Sequence, residues 1–595
     1  MLNKNRFLLS AFAVLVSAAA FGQIKMKCSV ADGQTIKGVQ EFKVTIESKH
    51  LVNDVEFYVG DDLRSTDDST PYEFFVDTVA EAEGPLKVKL LAYDSEGGKA
   101  EIMLNLKVDN EVGKGADFHV DLGKDALSEG KWEEAIMQGR IALKAKAKYI
   151  PARMLLARAN YGKGLYDAAQ KFVEGILAED PNNIEALDLK SAVALESAFG
   201  ARTGSRDTQI VAIGNALKMA AESRAKVYTT QLDAFGAINE ENRIKWADLA
   251  IRAGRYSAVI SELAPQYRAN IQNSSIVNRY LYSLIRAGRD RTAMEVAQQY
   301  AKRGVPDAAG YALIALTYEK AGDSATAESM EREAIKSDST DLTVRSALAY
   351  LAMSRGRSSA FVQFVNDLGQ EEDFRFEVLS YRSQASYLGN DYEGARNYFE
   401  EAVLNEPTAS DTYVQRSVQL MAYGTDPGLT PEDRGYYFGL AKVFLDAALV
   451  ARPESYEALT GLSIMNMMGN KAAEGLSLAQ SAAAAGPEYA AAHYQLAFCA
   501  SVVANTYNVQ SQALESQAED LKRNRQFDEE AKVRKSSVEA RDYSKKMSNL
   551  ADSSLKKAGE LDKKNLAGRS LPNLNESWIY YVRYGRTPML IPPQY

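Results

Sequence analysis

The sequence predicts a mainly α-helical protein in which a small all-β sandwich precedes a long α-solenoid of about eleven repeats. Three observations lead to this fold class. The chain has 595 residues, which is more than a usual single domain. Residues 24–110 alternate apolar and polar side chains in short runs, as half-buried strands do. From residue 116 onward the spacing becomes helical, and a pattern of 34 residues recurs.

The first 22 residues have the composition of a secretory signal peptide. Lys4 and Arg6 precede an apolar run from Phe7 to Phe21, and we expect cleavage after Gly22. This run is shorter than the about 20 residues that a membrane-spanning helix needs. We therefore expect a mature chain without an integral membrane span and an extracytoplasmic location, which is the periplasm, the cell surface or the medium.

Residues 23–110 contain six runs that predict strands, namely IKMKCSV, EFKVTIES, VEFYVG, YEFFVDT, LKVKLLAY and AEIMLNLKV. The arrangement VEFYVGDD, STPYEFFVDT and GPLKVKLLAYDSEGG resembles bacterial immunoglobulin-like modules, which implies two packed sheets. One loop is rich in carboxylates, which are Asp61, Asp62, Asp67 and Asp68. They could bind calcium through their oxygens, or they could form a solvated turn, and their spacing matches no ordered calcium loop.

After a linker at residues 111–115, a helical pattern with a constant phase covers residues 116–565. Its windows open at residues 116, 150, 184, 240, 274, 308, 342, 376, 410, 456 and 490. The stretch LARANYGKGLYDAAQKFVEGILAEDP resembles a tetratricopeptide repeat, with the family positions at Leu156, Ala157, Gly164, Tyr166, Ala169 and Pro181. The resemblance implies two helices per window, stacked into a right-handed superhelix.

Three segments interrupt the period or follow it. The windows that open at 184 and 410 contain extra residues, which predict enlarged loops between their two helices. The last window contains about 42 extra residues without Pro or Gly, which predict an extended helical hairpin near residues 505–550 that bends near Asn524. Residues 566–595 are rich in Pro and aromatic residues, and we expect an extended tail that caps the last repeats; a free sorting or docking peptide is the alternative.

The sequence contains no recognisable catalytic, cofactor-binding or metal-binding motif. The three histidines, His50, His119 and His493, lie in different segments and in no metal-ligand spacing. We therefore predict that the protein is not an enzyme and holds no cofactor or metal, while an enzymatic site in the loops remains the third hypothesis. The net charge of -9 argues against a nucleic acid partner, because phosphates require a dominant basic face.

The remaining candidate for function is the surface of the repeats. In the tetratricopeptide family the first helix of each repeat faces a concave surface that binds extended peptides or partner helices, so the resemblance implies protein or peptide partners. The family positions predict contacts at Arg158, Tyr161, Asp248, Arg252, Glu319, Lys320, Gln384 and Tyr387. Each of these side chains could instead face water or a neighbouring helix. The leading hypothesis is an exported scaffold; the alternative is a structural envelope component that self-associates.

Overall fold

The computed structural model describes residues 24–200, 204–371, 375–562 and 589–593. The chain divides into two compact units, Met1–Pro181 and Asn182–Tyr595. The predicted signal peptide, and the tail apart from residues 589–593, lie outside the described residues.

The first unit begins with a two-sheet β-sandwich. Its strands are β1 (Lys25–Cys28), β2 (Thr35–Ile36), β3 (Val39–Glu47), β4 (Val52–Val59), β5 (Asp62–Asp67), β6 (Tyr72–Asp77), β7 (Gly84–Asp94) and β8 (Lys99–Val108). One sheet has the order β1-β3-β6, and the other has the order β2-β8-β7-β4-β5. All pairs are antiparallel except β2 and β8, which are parallel. The predicted sandwich is therefore confirmed, and its likeness to immunoglobulin modules stays a prediction.

Three phenylalanines join the two sheets of the sandwich. Phe57 from the larger sheet lies 5.2 Å from Phe42 and 5.0 Å from Phe74, between ring centroids. All three side chains are buried, because alternate residues of each strand face the space between the sheets. In the Asp-rich loop, the Asp67 carboxylate accepts a hydrogen bond from the Ser69 backbone N–H at 3.1 Å. Among the described residues, no cluster of three metal-ligating side chains occurs.

Four helices complete the first unit: α1 (Ala116–Ser128), α2 (Trp132–Ala145), α3 (Ile150–Gly162) and α4 (Tyr166–Glu179). The sandwich contacts α2 through two basic side chains. Arg140 pairs with Asp77 at 2.6 Å, and Lys144 Nζ donates to the Val79 carbonyl at 3.2 Å. His119 is buried between α1 and α2, where Nδ1 lies 2.7 Å from Gln138 Oε1.

The second unit consists of nine helix pairs. They are α5 (Ile184–Gly200) and α6 (Arg206–Asp233), α7 (Arg243–Arg252) and α8 (Tyr256–Ala269), α9 (Ser274–Arg286) and α10 (Asp290–Arg303), α11 (Ala308–Lys320) and α12 (Ser324–Ser337), α13 (Leu342–Ser354) and α14 (Ser358–Glu371), α15 (Phe376–Leu388) and α16 (Tyr392–Asn405), α17 (Ser410–Gly424) and α18 (Pro431–Ala451), α19 (Tyr456–Met468) and α20 (Ala472–Ala485), and α21 (Ala490–Arg523) and α22 (Phe527–Leu561). With the two pairs of the first unit, the described residues contain 22 helices, which confirms the predicted solenoid class.

The 34-residue period is visible in the residues that begin successive first helices. Asn273, Asp307 and Asp341 are N-caps of α9, α11 and α13, and each side chain accepts a hydrogen bond from a backbone N–H of the first turn. Such a cap satisfies one of the N–H groups that a helix start leaves without an intrahelical partner. The repeated cap therefore places these three first helices at the same point of the period.

The extra residues in the window that opens at 184 lengthen a helix. We predicted an enlarged loop there, but α6 alone spans 28 residues, so that prediction is wrong. The added turns of α6 pack against α18, and Arg206 pairs with Asp433 at 2.6 Å. In the window that opens at 410, Thr430 caps α18 and accepts a hydrogen bond from Asp433 N at 3.1 Å. Most of its extra length likewise lies in α18, which spans 21 residues.

The last helix pair is much longer than the others. α21 has 34 residues and α22 has 35, and the chain turns between them at Asn524 and Arg525, where Arg525 has a φ of 59°. Ser511 and Ser537 face each other where the helices meet, and Ser511 Oγ donates to the Ser537 carbonyl at 2.9 Å. Small side chains at this contact let the two helices approach closely.

Two further properties concern the described residues of the chain. No helix among them is both long and apolar enough to cross a membrane. The two cysteines are free thiols, and Cys499 is buried in α21. Burial raises the pKa of the Cys499 thiol to about 11, so this thiol is held in its neutral form.

Candidate functional site

Residues 589–593 of the tail lie against three first helices of the second unit. Tyr282 of α9 donates its hydroxyl to the Leu590 carbonyl at 2.9 Å, and Tyr381 of α15 donates to the Met589 carbonyl. Ser346 of α13 accepts a hydrogen bond from the Ile591 N–H at 3.1 Å. We name the surface defined by Tyr282, Ser346 and Tyr381 the tail groove.

The tail segment is buried as deeply as the core of the unit. The exposed fractions of Met589, Leu590 and Ile591 are 1 %, 1 % and 0 %. These side chains join one apolar cluster with residues of α7 through α15. We expected the tail to cap the last repeats, and for residues 589–593 this is wrong. Their contacts are with helices that lie more than 200 positions earlier in the chain.

A cavity of about 320 Å³ adjoins the tail segment. Beside Met589, Leu590, Pro592 and Pro593, its wall includes the charged side chains of Asp248, Arg252, Arg286, Arg375, Glu377, Glu406, Asp411 and Arg452. Glu377 is fully buried, and burial raises the pKa of its carboxyl, while the Arg375 guanidinium 3.4 Å away acts in the opposite direction. The cavity therefore places an apolar edge, formed by the tail, beside a polar wall.

A buried charge cluster lies next to this cavity. Asp411 at the start of α17 pairs with Arg286 at the end of α9, and also with Arg452, 3.2 Å away. The two nitrogens of Arg286 that face Tyr256 donate to its hydroxyl at 3.0 and 3.2 Å. Burial disfavours the charged guanidinium, but the Asp411 carboxylate together with Tyr256 and Tyr282 outweighs burial and holds the pKa of Arg286 well above its usual value.

This cluster joins helix pairs that are far apart in the sequence. Arg286 and Asp411 are separated by 125 positions. Two further contacts join the same regions: Ser257 donates to Glu454 at 3.4 Å, and the Arg291 N–H donates to Glu488 at 2.6 Å. The cluster also borders a second cavity of about 510 Å³, which is lined by Tyr228, Tyr256, Arg286, Arg452 and Glu454 among others. The second unit therefore closes one turn of stacked pairs around the tail groove.

Four of the predicted contact residues pair with the next or the preceding repeat. Asp248 accepts from Arg279 at 2.6 and 3.0 Å, and Glu319, which is buried, accepts from Arg355 at 3.0 Å. Lys320 pairs with Asp290 at 2.7 Å, and Gln384 accepts from Gln419 at 3.1 Å. Residues about one period apart meet because neighbouring pairs stack in register. Glu319 and Gln384 thus stabilise the stack itself.

The other four predicted residues have surface positions. Arg252 is exposed at the rim of the 320 Å³ cavity, together with Asp248. Tyr387 is half-buried, with ring centroids 6.2 Å from Tyr392 and 5.6 Å from Tyr423. In the first unit, Arg158 is exposed, and Tyr161 lies 5.9 Å from Tyr166. Of the eight predicted residues, the structure therefore brings Asp248 and Arg252 to the site that contains the tail.

Sequence reasoning missed the residues that hold the tail. All three residues lie on first helices, where the family resemblance places contact residues. The windows at 274 and 342, which contain Tyr282 and Ser346, matched few family positions. The sequence did contain one indication. MLIPP places three large apolar residues before two prolines, and such a run favours a buried, extended segment over a helix.

A sequence profile described as tetratricopeptide repeat matches residues 126–193. Residues 126–193 contain tetratricopeptide repeats. The matched residues include α3 and α4, the pair in which the family positions were recognised from the sequence. Helix pairs of similar spacing continue through the second unit, and its tail groove is built from the first helices of three such pairs. Among curated protein sequences, none matches the chain significantly.

Several solved structures are similar to parts of this chain. Yeast Tom70 is 14 % identical over 77 % of this chain and 97 % of its own, with a TM-score of 0.31. The C-terminal part of a TPR repeat-containing protein from Cytophaga hutchinsonii is 16 % identical over 42 % of this chain and 99 % of its own, with a TM-score of 0.21. The fibronectin(III)-like modules of Clostridium thermocellum CbhA are 28 % identical over 14 % of this chain and 94 % of their own, with a TM-score of 0.13. At these TM-scores we draw no argument from the likenesses.

Proposed function

We propose that this protein is an exported, non-enzymatic scaffold that binds peptide or protein partners through the tail groove of its tetratricopeptide repeats. One observation carries the proposal: the groove already holds a short segment of chain, whose main chain is hydrogen-bonded to the three first helices α9, α13 and α15. Main-chain contacts of this kind supply affinity for extended peptides, and apolar pockets supply selectivity. Export is proposed from the N-terminal sequence alone, with its basic start and apolar run.

The partner is expected to be a protein and not a nucleic acid. The wall of the adjoining cavity mixes Asp248, Glu377 and Asp411 with Arg252 and Arg375. Phosphates would require a surface on which the basic groups dominate. Mixed charges beside an apolar groove instead suit a polypeptide with side chains of both kinds.

Site-specific photocross-linking in the native cells tests this function. A photoreactive phenylalanine derivative replaces Arg252, which is exposed at the rim of the cavity. The control position is Lys302, which is exposed on α10, the second helix of a pair. We expect a discrete cross-linked protein from position 252 and not from position 302. Equal cross-linking from both positions, or none from 252, would contradict the proposed binding surface.

Cell fractionation tests the proposed export separately. We expect the full-length chain outside the cytoplasm, and a chain without residues 1–22 inside it. If the wild-type protein remains cytoplasmic, export is wrong, whatever the cross-linking shows.

A further inference from the structure

The contacts of the tail segment define what the groove can recognise. The two tyrosine hydroxyls and Ser346 form hydrogen bonds with main-chain atoms of residues 589–591, so these hydrogen bonds would serve any extended peptide in the same register. Selectivity then comes from the side chains, of which three consecutive ones are large, apolar and almost fully buried. A charged residue at any of these three positions would lose its contact with water on burial.

Two prolines follow the three apolar residues of the tail segment. Pro592 and Pro593 lack an N–H, so the groove needs no acceptor for them. A proline also restricts the residue before it to extended conformations, here Ile591 and Pro592. A segment that ends in two prolines loses less conformational freedom on binding than a segment of the same length without proline. The structure thus describes the recognition of consecutive aliphatic residues followed by prolines.

We infer that residues 589–593 are a built-in competitor for the tail groove, and that the partners bound there carry an extended segment of the same chemistry. This inference rests on the proposed function, because it names the partner class and the regulation of the same groove. A tethered segment competes at a high local concentration, on the order of millimolar for short linkers. A partner segment therefore binds well only when the tail of the chain has left the groove.

Fluorescence anisotropy with a labelled MLIPPQY peptide, which repeats residues 589–595, tests the competition. The peptide is titrated into the full-length chain and into a chain that lacks these residues. We expect binding to the truncated chain and at least about tenfold weaker binding to the full-length chain, because the apparent Kd rises as the fraction of open groove falls. A peptide with Asp in place of Leu590 is the control and should not bind.

A second variant covers the case in which truncation prevents folding. Leu590→Asp in the full-length chain keeps the length but disfavours docking of the tail, and circular dichroism checks that it folds. It should bind the labelled peptide as the truncated chain does. Tyr381→Phe in the truncated chain should weaken the peptide about 2- to 10-fold, because one main-chain hydrogen bond is lost.

The outcomes separate this inference from the proposed function. Equal binding to the full-length and opened chains overturns the competition, and so does an absence of binding to folded, opened variants, since the tail would then be a structural strap. Dimers of the full-length chain in light scattering that vanish with Leu590→Asp would mean exchange of tails between copies, and would also overturn it. Cross-linking from position 252 tests the proposed function, and its outcome does not depend on any of these three results.

Discussion

The Arg286 guanidinium and the Asp411 carboxylate form a buried ion pair between the end of one repeat and the start of another, 125 positions later. The two side chains are 5 % and 8 % exposed, and Arg452 shares the same carboxylate at 3.2 Å. Asp411 thus pairs with two buried cations in this cluster, and Tyr256 also contacts Arg286.

Asp411→Asn should destabilise the second unit more than Arg286→Met does. The first change leaves two buried guanidinium groups without this carboxylate, and we expect a loss of about 3–5 kcal/mol in the free energy of unfolding. The second change leaves Asp411 paired with Arg452. Urea unfolding measures both, and Asp446→Asn is the control, because its pair with Lys442 is half-exposed and should contribute less than about 1 kcal/mol. Equal losses for Asp411→Asn and Asp446→Asn would contradict the role of the cluster.

Ala395→Trp should lower the stability of the repeat that opens at 376. Ala395 is fully buried in α16, and its carbonyl accepts a hydrogen bond from Ser383 of α15 at 2.7 Å. A large ring at this contact forces the two helices apart, which we expect to cost about 1–3 kcal/mol. Asn397→Trp places the same ring on the exposed face of α16 and serves as the control. Thermal melting should separate the two variants, and an unchanged melting temperature for Ala395→Trp would mean that the helix contact tolerates the ring.

Substitutions of Leu590 should lower the free energy of unfolding only up to a limit, which is the whole contribution of the docked tail. Leu590→Ala removes a buried side chain, for which the usual cost is about 2–5 kcal/mol. Once the tail has left the groove, however, further changes in the tail no longer alter the free energy of unfolding. We therefore expect Leu590→Asp and deletion of residues 589–595 to lower the free energy of unfolding by equal amounts. Leu313→Asp, in the fully buried core of α11, has no such limit and should cost more than either.

The last repeat pair should lose stability as the solution becomes acidic. His493 of α21 is half-buried, and burial lowers the pKa of its imidazole, with a further lowering from Lys557; the Pro487 carbonyl 3.0 Å away acts in the opposite direction. The folded state therefore binds this proton less readily than the unfolded state, whose pKa is about 6.5. The stabilising contribution of neutral His493 is fully present above the unfolded-state pKa. It is lost as the pH falls through the lowered pKa of the folded state.

Melting temperatures measured between pH 7.5 and 5 test this sign. His493→Gln should reduce the loss of stability on acidification, whereas His50→Gln, at an exposed position of the sandwich, should leave it unchanged. If His493→Gln and the wild-type chain lose the same amount, the imidazole is not the group that titrates.

Contacts within a repeat, and between neighbouring repeats, could be predicted from the sequence. Asn273, Asp307 and Asp341 begin helices at intervals of one period, and the small residue Ala395 is fully buried where two paired helices meet. Such features depend on residues that are close in the chain or one repeat away, so the 34-residue pattern is sufficient to predict them. The same locality explains why the candidates Asp248 and Arg252 were correctly predicted to lie on a first helix.

The site itself was decided only by the tertiary structure. The contact of Arg286 with Asp411 depends on a small rotation at every repeat, summed over the intervening pairs, and no single repeat encodes that sum. The contact of Tyr282 with Leu590 spans 308 positions, and it forms because the closed turn brings α9, α13 and α15 around one apolar groove. The sequence by itself therefore determined the helices and their order, whereas the accumulated geometry of the stack determined which distant residues meet.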